Sequence, residues 1–208
     1  MQDVGLIQVV FSVLVLVFSV VAHEVSHGYM AQYLGDPTAR LAGRLTLNPL
    51  KHLDPIGSVL IPFVTALMPG GFVFGWAKPV PYNPYNLRDQ KWGDAKVALA
   101  GPLTNLSIAV VFAMLLRFGG ASLSGDMQSM MQLIVLINIV LTVFNLVPIP
   151  PLDGSKVLFN ALPLRYRYIE DYFQRYALVF ILIFAFFLWQ FFLPLIYSLY
   201  FLLVGFPS

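Results

Sequence analysis

Long apolar runs without a single charge alternate along this chain with short polar stretches that hold nearly every charged side chain. Residues 4–22 carry no charge, and the apolar pattern predicts one helix over about 4–33. About 20 such residues are enough to cross the roughly 30 Å hydrocarbon core of a bilayer. A polar connection follows with Asp36, Arg40, Arg44, Lys51, His52 and Asp54. Residues 55–77 are again uncharged but are interrupted by Pro62, Pro69, Gly70 and Gly71, so no continuous spanning helix fits. The expectation there is a re-entrant or broken segment, tolerated at membrane depth only where it is buried in protein or lines a wet cavity. Residues 75–85, with Pro79, Pro81 and Pro84, predict extended or turn structure near the interface. Two further spans are predicted over 97–116 and 127–148. The last uncharged stretch, 176–208, would reach about 50 Å as one helix. Pro194 predicts a bend within it.

Composition agrees with this reading. The chain is 59% hydrophobic and 11% charged, against about 25% charged in a typical soluble domain. The predicted class is therefore an all-α polytopic membrane protein of about four to six spans. It would form one integral-membrane domain over 1–208, with a core at about 4–155 and one or two C-terminal helices at about 176–205. Asp3 stands where a secretory signal would carry basic residues, which argues against a cleaved leader. Without cysteine there are no disulfides and no thiolate metal ligands. The formal charge of +2 follows membrane topology and gives no reason to expect a nucleic-acid partner. Placing loops 34–55, 76–96 and 150–175 on one side gathers 11 of the 12 Lys and Arg residues there, leaving Arg117 opposite. That side is expected to be cytoplasmic. A multi-pass protein of a prokaryotic cell membrane follows, with its N-terminus outside.

Candidate chemistry begins at the end of the first predicted span, in His23-Glu24-Val25-Ser26-His27. On a helix the two histidines (i, i+4) project about 40° apart from one face. They can share one zinc ion, with Glu24 beside it to handle protons. With 3 His and 2 Glu in 208 residues, a chance match is roughly below one in a thousand. A catalytic zinc usually takes a third protein ligand and keeps one position for water. His52, Asp54 and Asp153 are the candidates, and Asp153 is favoured. No other charge lies between Asp126 and Lys156, and Pro148, Pro150 and Pro151 break the helix so that Asp153 can turn back toward the bundle. Asn138, Thr142 and Asn145 share one face of the third span, which turns to the protein interior in a bilayer. Asn145 is nearest the candidate metal and can hydrogen-bond an oxyanion or a substrate backbone. Gly101 and Asn105 share a face of the second span and permit close approach by another backbone, with a substrate strand as the expected occupant.

The pentad with Gly35-Asp36 beyond it, Gly101-Pro102-Leu103-Thr104-Asn105, and Asn145 through Asp153-Gly154 together resemble the three signatures of site-2 proteases. These are zinc metalloproteases that cut substrates within the membrane. The motifs stand in order over residues 23–154. The resemblance implies one zinc per chain held by His23, His27 and Asp153, Glu24 as catalytic base, and Asn105 and Asn145 lining the site. It also implies a membrane-protein substrate. A transmembrane helix hides its carbonyls in hydrogen bonds, so the substrate must locally unwind, and the aromatic, proline-rich residues 74–85 are expected to offer a sheet edge for it. Neither a PDZ nor a nucleotide-sensing domain finds room in the chain. A divalent-metal transporter and a non-proteolytic metal-bound adaptor are the rival functions. Against the first, the ligand-capable groups gather at one end instead of stepping through several spans; against the second, Glu24 is present.

Overall fold

A computed structural model describes residues 2–60, 75, 77–163 and 167–205. Helix α1 (Gln2–Tyr33) runs 32 residues and is followed by the single turn α2 (Thr38–Leu41). The next long helices are α3 (Gly93–Gly119) and α4 (Gly125–Asn145). Among the described residues, these three long helices are apolar and long enough to cross a membrane, and the stretch Trp189–Val204 is a shorter apolar helix.

α3 is the centre of the bundle, packing against both α1 and α4. Its buried stripe is made of small side chains, with Ala98, Gly101, Asn105, Ala109 and Ala113 at helical spacing. Small residues let neighbouring backbones approach closely, which is how helices associate where lipid removes the hydrophobic drive. Ala109 and Ala113 pack with Val135, Ile139 and Val143 of α4 and with Ile196. At the other end of α3, Val97 meets Ala31 of α1 and Leu87 of the preceding loop.

The predicted third span ends earlier than its apolar pattern, at Asn145 instead of residue 148. Pro148, Pro150 and Pro151 supply no N–H to continue a helix. The chain turns and starts α5 (Asp153–Ala161), which the apolar pattern did not anticipate. Nor did it anticipate α6 (Arg167–Arg175), inside a stretch read only as polar. Helix α7 (Ala177–Ile183) then passes through a π-helical turn (Phe184–Leu188) and a 3₁₀ turn (Trp189–Phe192) into α8 (Leu193–Val204). The distortion precedes Pro194, which sits in the first turn of α8 where its missing N–H has no intrahelical partner. Its ring crowds the carbonyl four residues back, which falls within the 3₁₀ turn.

Of the segment expected to re-enter the membrane, Pro55–Leu60 forms a π-helical turn, and residues 61–74 and 76 lie outside the described residues. Residues 77–83 form no regular secondary structure, and no strand is formed among the described residues. Of the stretch 74–85 expected to offer a sheet edge, residues 74 and 76 lie outside the described residues, and several of the others have no free N–H. The N–H groups of Lys78, Val80 and Asn83 are already given to the His52 carbonyl, Glu24 and Asp36. Pro79 and Pro81 have none.

Candidate metal centre

The end of α1, the loops 34–54 and 77–92, the start of α3 and the α4–α5 turn all meet at one end of the bundle. Asp36 ties this end together. Fully buried, it accepts from the Thr38 hydroxyl (2.5 Å), the Asn83 N–H (2.7 Å) and the Asn86 amide (2.8 Å). Burial opposes ionisation of Asp36, but the hydrogen bonds from Thr38, Asn86 and Asn83 outweigh it and hold the carboxyl below the usual aspartate range. Arg44 donates to the carbonyls of Lys78 (2.8 Å) and Pro79 (3.3 Å), holding residues 77–80 across the site.

His23 and His27 project from one face of α1, with ring centroids 4.7 Å apart. Each ring spends Nδ1 on a partner in α3: His23 on the Asn105 side-chain oxygen (2.8 Å), His27 on the Val97 carbonyl (2.7 Å). The Nε2 atoms of both converge on one oxygen of Asp153, at 3.0 Å and 3.2 Å. α3 comes this close because residue 101 is glycine. A Cβ there would lie 2.5 Å from His23 Cε1 and Nε2 and 2.6 Å from His27 Cε1.

Asp153 arrives from the far side of the sequence by a comparably tight turn. A Cβ on Gly154 would stand 2.1 Å from the Leu146 carbonyl oxygen, so only glycine lets α5 begin against the end of α4. As the first residue of α5, Asp153 places its carboxylate at the positive end of the helix dipole.

The three donors fit a divalent metal. His23, His27 and Asp153 each offer a ligand atom within 4.8 Å of the others. Ligands at about 2.0–2.1 Å from a tetrahedral zinc stand roughly 3.3 Å apart, close to the observed 3.0 Å and 3.2 Å. Each histidine also has its second nitrogen tied by a hydrogen bond, as metal-ligating imidazoles almost always do. The other two candidates for the third ligand are engaged elsewhere. His52 Nε2 bonds the Thr46 carbonyl (2.9 Å), and Asp54 caps the following turn by accepting from Ile56 N (3.0 Å) and Gly57 N (2.7 Å).

These groups line a cavity of about 170 Å³ together with Glu24, Pro79, Val80, Tyr82, Asn145, Pro151 and Lys156. Glu24 accepts from Val80 N–H (3.0 Å), which leaves its second oxygen free of that bond. Asn145 reaches the cavity while donating to the Leu141 carbonyl (2.9 Å). Gly101 and Asn105, expected to face substrate, do not line this cavity. Gly101 lies against the imidazoles and Asn105 holds His23 from behind. Lys156 and Tyr82 escaped the sequence reading. Lys156 stands one turn past Asp153 and donates to the Tyr82 hydroxyl (2.9 Å), which in turn donates to Asp94. Burial and the Asp94 carboxylate push the Tyr82 phenol up, so it remains a neutral donor. The i, i+3 spacing from Asp153 was the available signal for Lys156; nothing in the sequence pointed to Tyr82.

The sequence profile of peptidase family M50 matches residues 11–123 and 114–188. Over 160 residues the chain is 38% identical to a Bacillus subtilis protein named "Putative zinc metalloprotease YwhC", covering 74% of this chain and 69% of that one. It is 32% identical over 140 residues to "Putative zinc metalloprotease Rip2" of Mycolicibacterium smegmatis, covering 67% of this chain and 52% of the relative. The match to zinc metalloprotease MJ0392 of Methanocaldococcus jannaschii is 27% over 158 residues, 76% of this chain but 36% of the relative. No solved structure gives a significant match.

Proposed function

This chain belongs to peptidase family M50, the site-2 protease family, and on that premise we propose that it is a zinc metalloprotease cutting membrane-protein substrates in or near a transmembrane segment. The observation that carries the reading is the convergence of His23, His27, Asp153 and Glu24 on one cavity at the end of apolar helices. Zinc held by His23, His27 and Asp153 would supply a Lewis acid that makes water nucleophilic near neutral pH and polarises a peptide carbonyl.

The protein's own groups divide the remaining work. Glu24 takes the proton of the attacking water on its carboxylate and returns it to the leaving amine nitrogen. Asn145 keeps one N–H beyond its bond to Leu141 and offers it to the carbonyl oxygen as negative charge develops. Val80 N–H orients the Glu24 carboxylate. Helices are about 10–12 Å wide with their side chains, and ligand pockets usually run 300–1,000 Å³, so a cavity of about 170 Å³ has no room for an intact substrate helix. The substrate must therefore unwind locally and present an extended stretch. The basic residues sit mainly at the end of the bundle that carries the site, so the site opens toward the cytoplasm.

The decisive experiment uses the full chain purified in detergent, with zinc content and cleavage of a membrane-spanning test substrate measured in parallel. Wild type should hold about one zinc per chain and cleave. Glu24→Gln should keep its zinc and lose turnover by at least about 100-fold, in the range of a lost general base. A wild type that takes up no zinc refutes the reading, and so does a Glu24→Gln variant with full turnover. A zinc-replete wild type that moves metal across vesicles but cuts nothing would favour a divalent-metal transporter.

A further inference from the structure

Behind His23 a line of buried amides crosses three helices without touching the cavity. His23 Nδ1 donates to Asn105 Oδ1 (2.8 Å), Asn105 Nδ2 donates to Asn138 Oδ1 (3.0 Å), and Asn138 Nδ2 donates both to Ser19 Oγ (3.0 Å) and to the Ile134 carbonyl (2.9 Å). Asn105 and Asn138 are 0% exposed, so water cannot stand in for a lost partner. We infer that Asn138 is a positioning residue that selects the metal-binding tautomer of His23 by setting the orientation of the Asn105 amide. This rests on the reading of His23 as a metal ligand.

The argument turns on the near-symmetry of an asparagine amide. Its oxygen and NH₂ ends have almost the same size, so the ends are told apart only by what each one meets. With its oxygen toward His23, Asn105 demands a proton on Nδ1, and Nε2 keeps the lone pair that binds metal. With its NH₂ toward His23, Asn105 demands a bare Nδ1. The proton then sits on Nε2 and blocks ligation. Nothing in the contact between His23 and Asn105 alone chooses between these states. Asn138 makes the choice, because a flipped Asn105 would set oxygen against oxygen at the 3.0 Å contact. Asn138 cannot flip in compensation, since its own oxygen would then face the Ile134 backbone carbonyl, which can only accept. The polarity of the whole line is therefore anchored on one carbonyl of α4. Ser19, one turn before His23 on α1, takes the second Asn138 N–H and closes the line back onto the helix that carries the ligand.

The test is zinc affinity, measured on the detergent-purified full chain by competition with a chelator. Asn138→Leu frees the Asn105 amide to turn and should weaken zinc binding 10- to 100-fold, the usual effect of losing an outer partner of a metal ligand. Asn105→Ala removes the amide altogether, so no orientation is left for Asn138 to set. In that background Asn138→Leu should change affinity by no more than about twofold. Equal losses in both backgrounds would mean that Asn138 acts by packing alone, and would overturn the inference. So would an Asn138→Leu protein with wild-type affinity. Asn138→Asp guards against simple misfolding. Its neutral carboxyl keeps the size, the acceptor toward Asn105 and a donor toward Ile134, so affinity should stay near wild type; a loss as large as that of the Leu variant overturns the inference. If the wild type itself binds no zinc, the metal-site reading falls, and this inference with it.

Discussion

Gly101→Ala is the smallest change that puts the geometry of the site to the test. The added methyl would stand 2.5–2.6 Å from three atoms of the two imidazoles, whereas carbon contacts are comfortable at about 3.5–4.0 Å. Relief needs roughly 1 Å of separation between α3 and the rings. Neither side can give it freely, because His27 is held at 2.7 Å by the Val97 carbonyl and His23 at 2.8 Å by Asn105, both on α3. Moving the rings away by that distance stretches both bonds past about 3.5 Å, where they cease to be hydrogen bonds. Loss of one outer partner of a metal ligand costs about 10- to 100-fold in affinity, so losing two should weaken zinc by at least about 100-fold. Overpacking itself should cost about 1–3 kcal/mol of stability. Chelator competition and thermal melting in detergent, with zinc added and withheld, read the two effects separately. Gly119→Ala is the control, since nothing lies within 4 Å of a Cβ there. A Gly101→Ala protein with wild-type zinc affinity and melting temperature would refute the close approach of α3 to the ligands.

Three further outcomes are expected, besides those for Glu24 and Asn138. Gly154→Ala should abolish stoichiometric zinc, because its Cβ would sit 2.1 Å from a backbone oxygen that cannot rotate away and Asp153 must move with the start of α5; full metal content by mass spectrometry would contradict this. Asp36→Ala should lower stability by about 1–2 kcal/mol, since it removes the charged acceptor of three partly buried donors, and denaturant melts would show it. The same carboxylate sets a pH dependence. Its folded pKa lies below the unfolded value of about 3.9, so its contribution is complete above that pH and is lost as pH falls through the folded value. Wild type should lose this part of its stability on acidification below about pH 4, and Asp36→Ala should lack that component.

What the sequence determines here is local in origin. Uncharged apolar runs of spanning length predict α1, α3 and α4 because a segment in lipid must satisfy its own backbone, and helices do so within the segment. The pairing of His23 with His27 is equally legible, being a consequence of helical periodicity over four residues. Asp153 could be favoured by elimination and by motif, but not placed. It lies 130 residues from His23, and its arrival depends on the turn after Asn145 and on the bare Cα of Gly154. The Val97 carbonyl that holds His27 is a backbone atom and carries no residue-type signal. Gly101 and Asn105 were visible as a small polar face, yet their positions behind the histidines follow only from how α1 and α3 cross. Tyr82, Lys156 and the Asn105–Asn138–Ser19 line join residues from distant segments at contacts that no single helix defines. Period and composition act over a turn or a span, so the chain alone specifies the helices and their chemically equipped faces. Which faces meet, and which side chains are thereby pinned in place, is decided by packing among helices far apart in sequence.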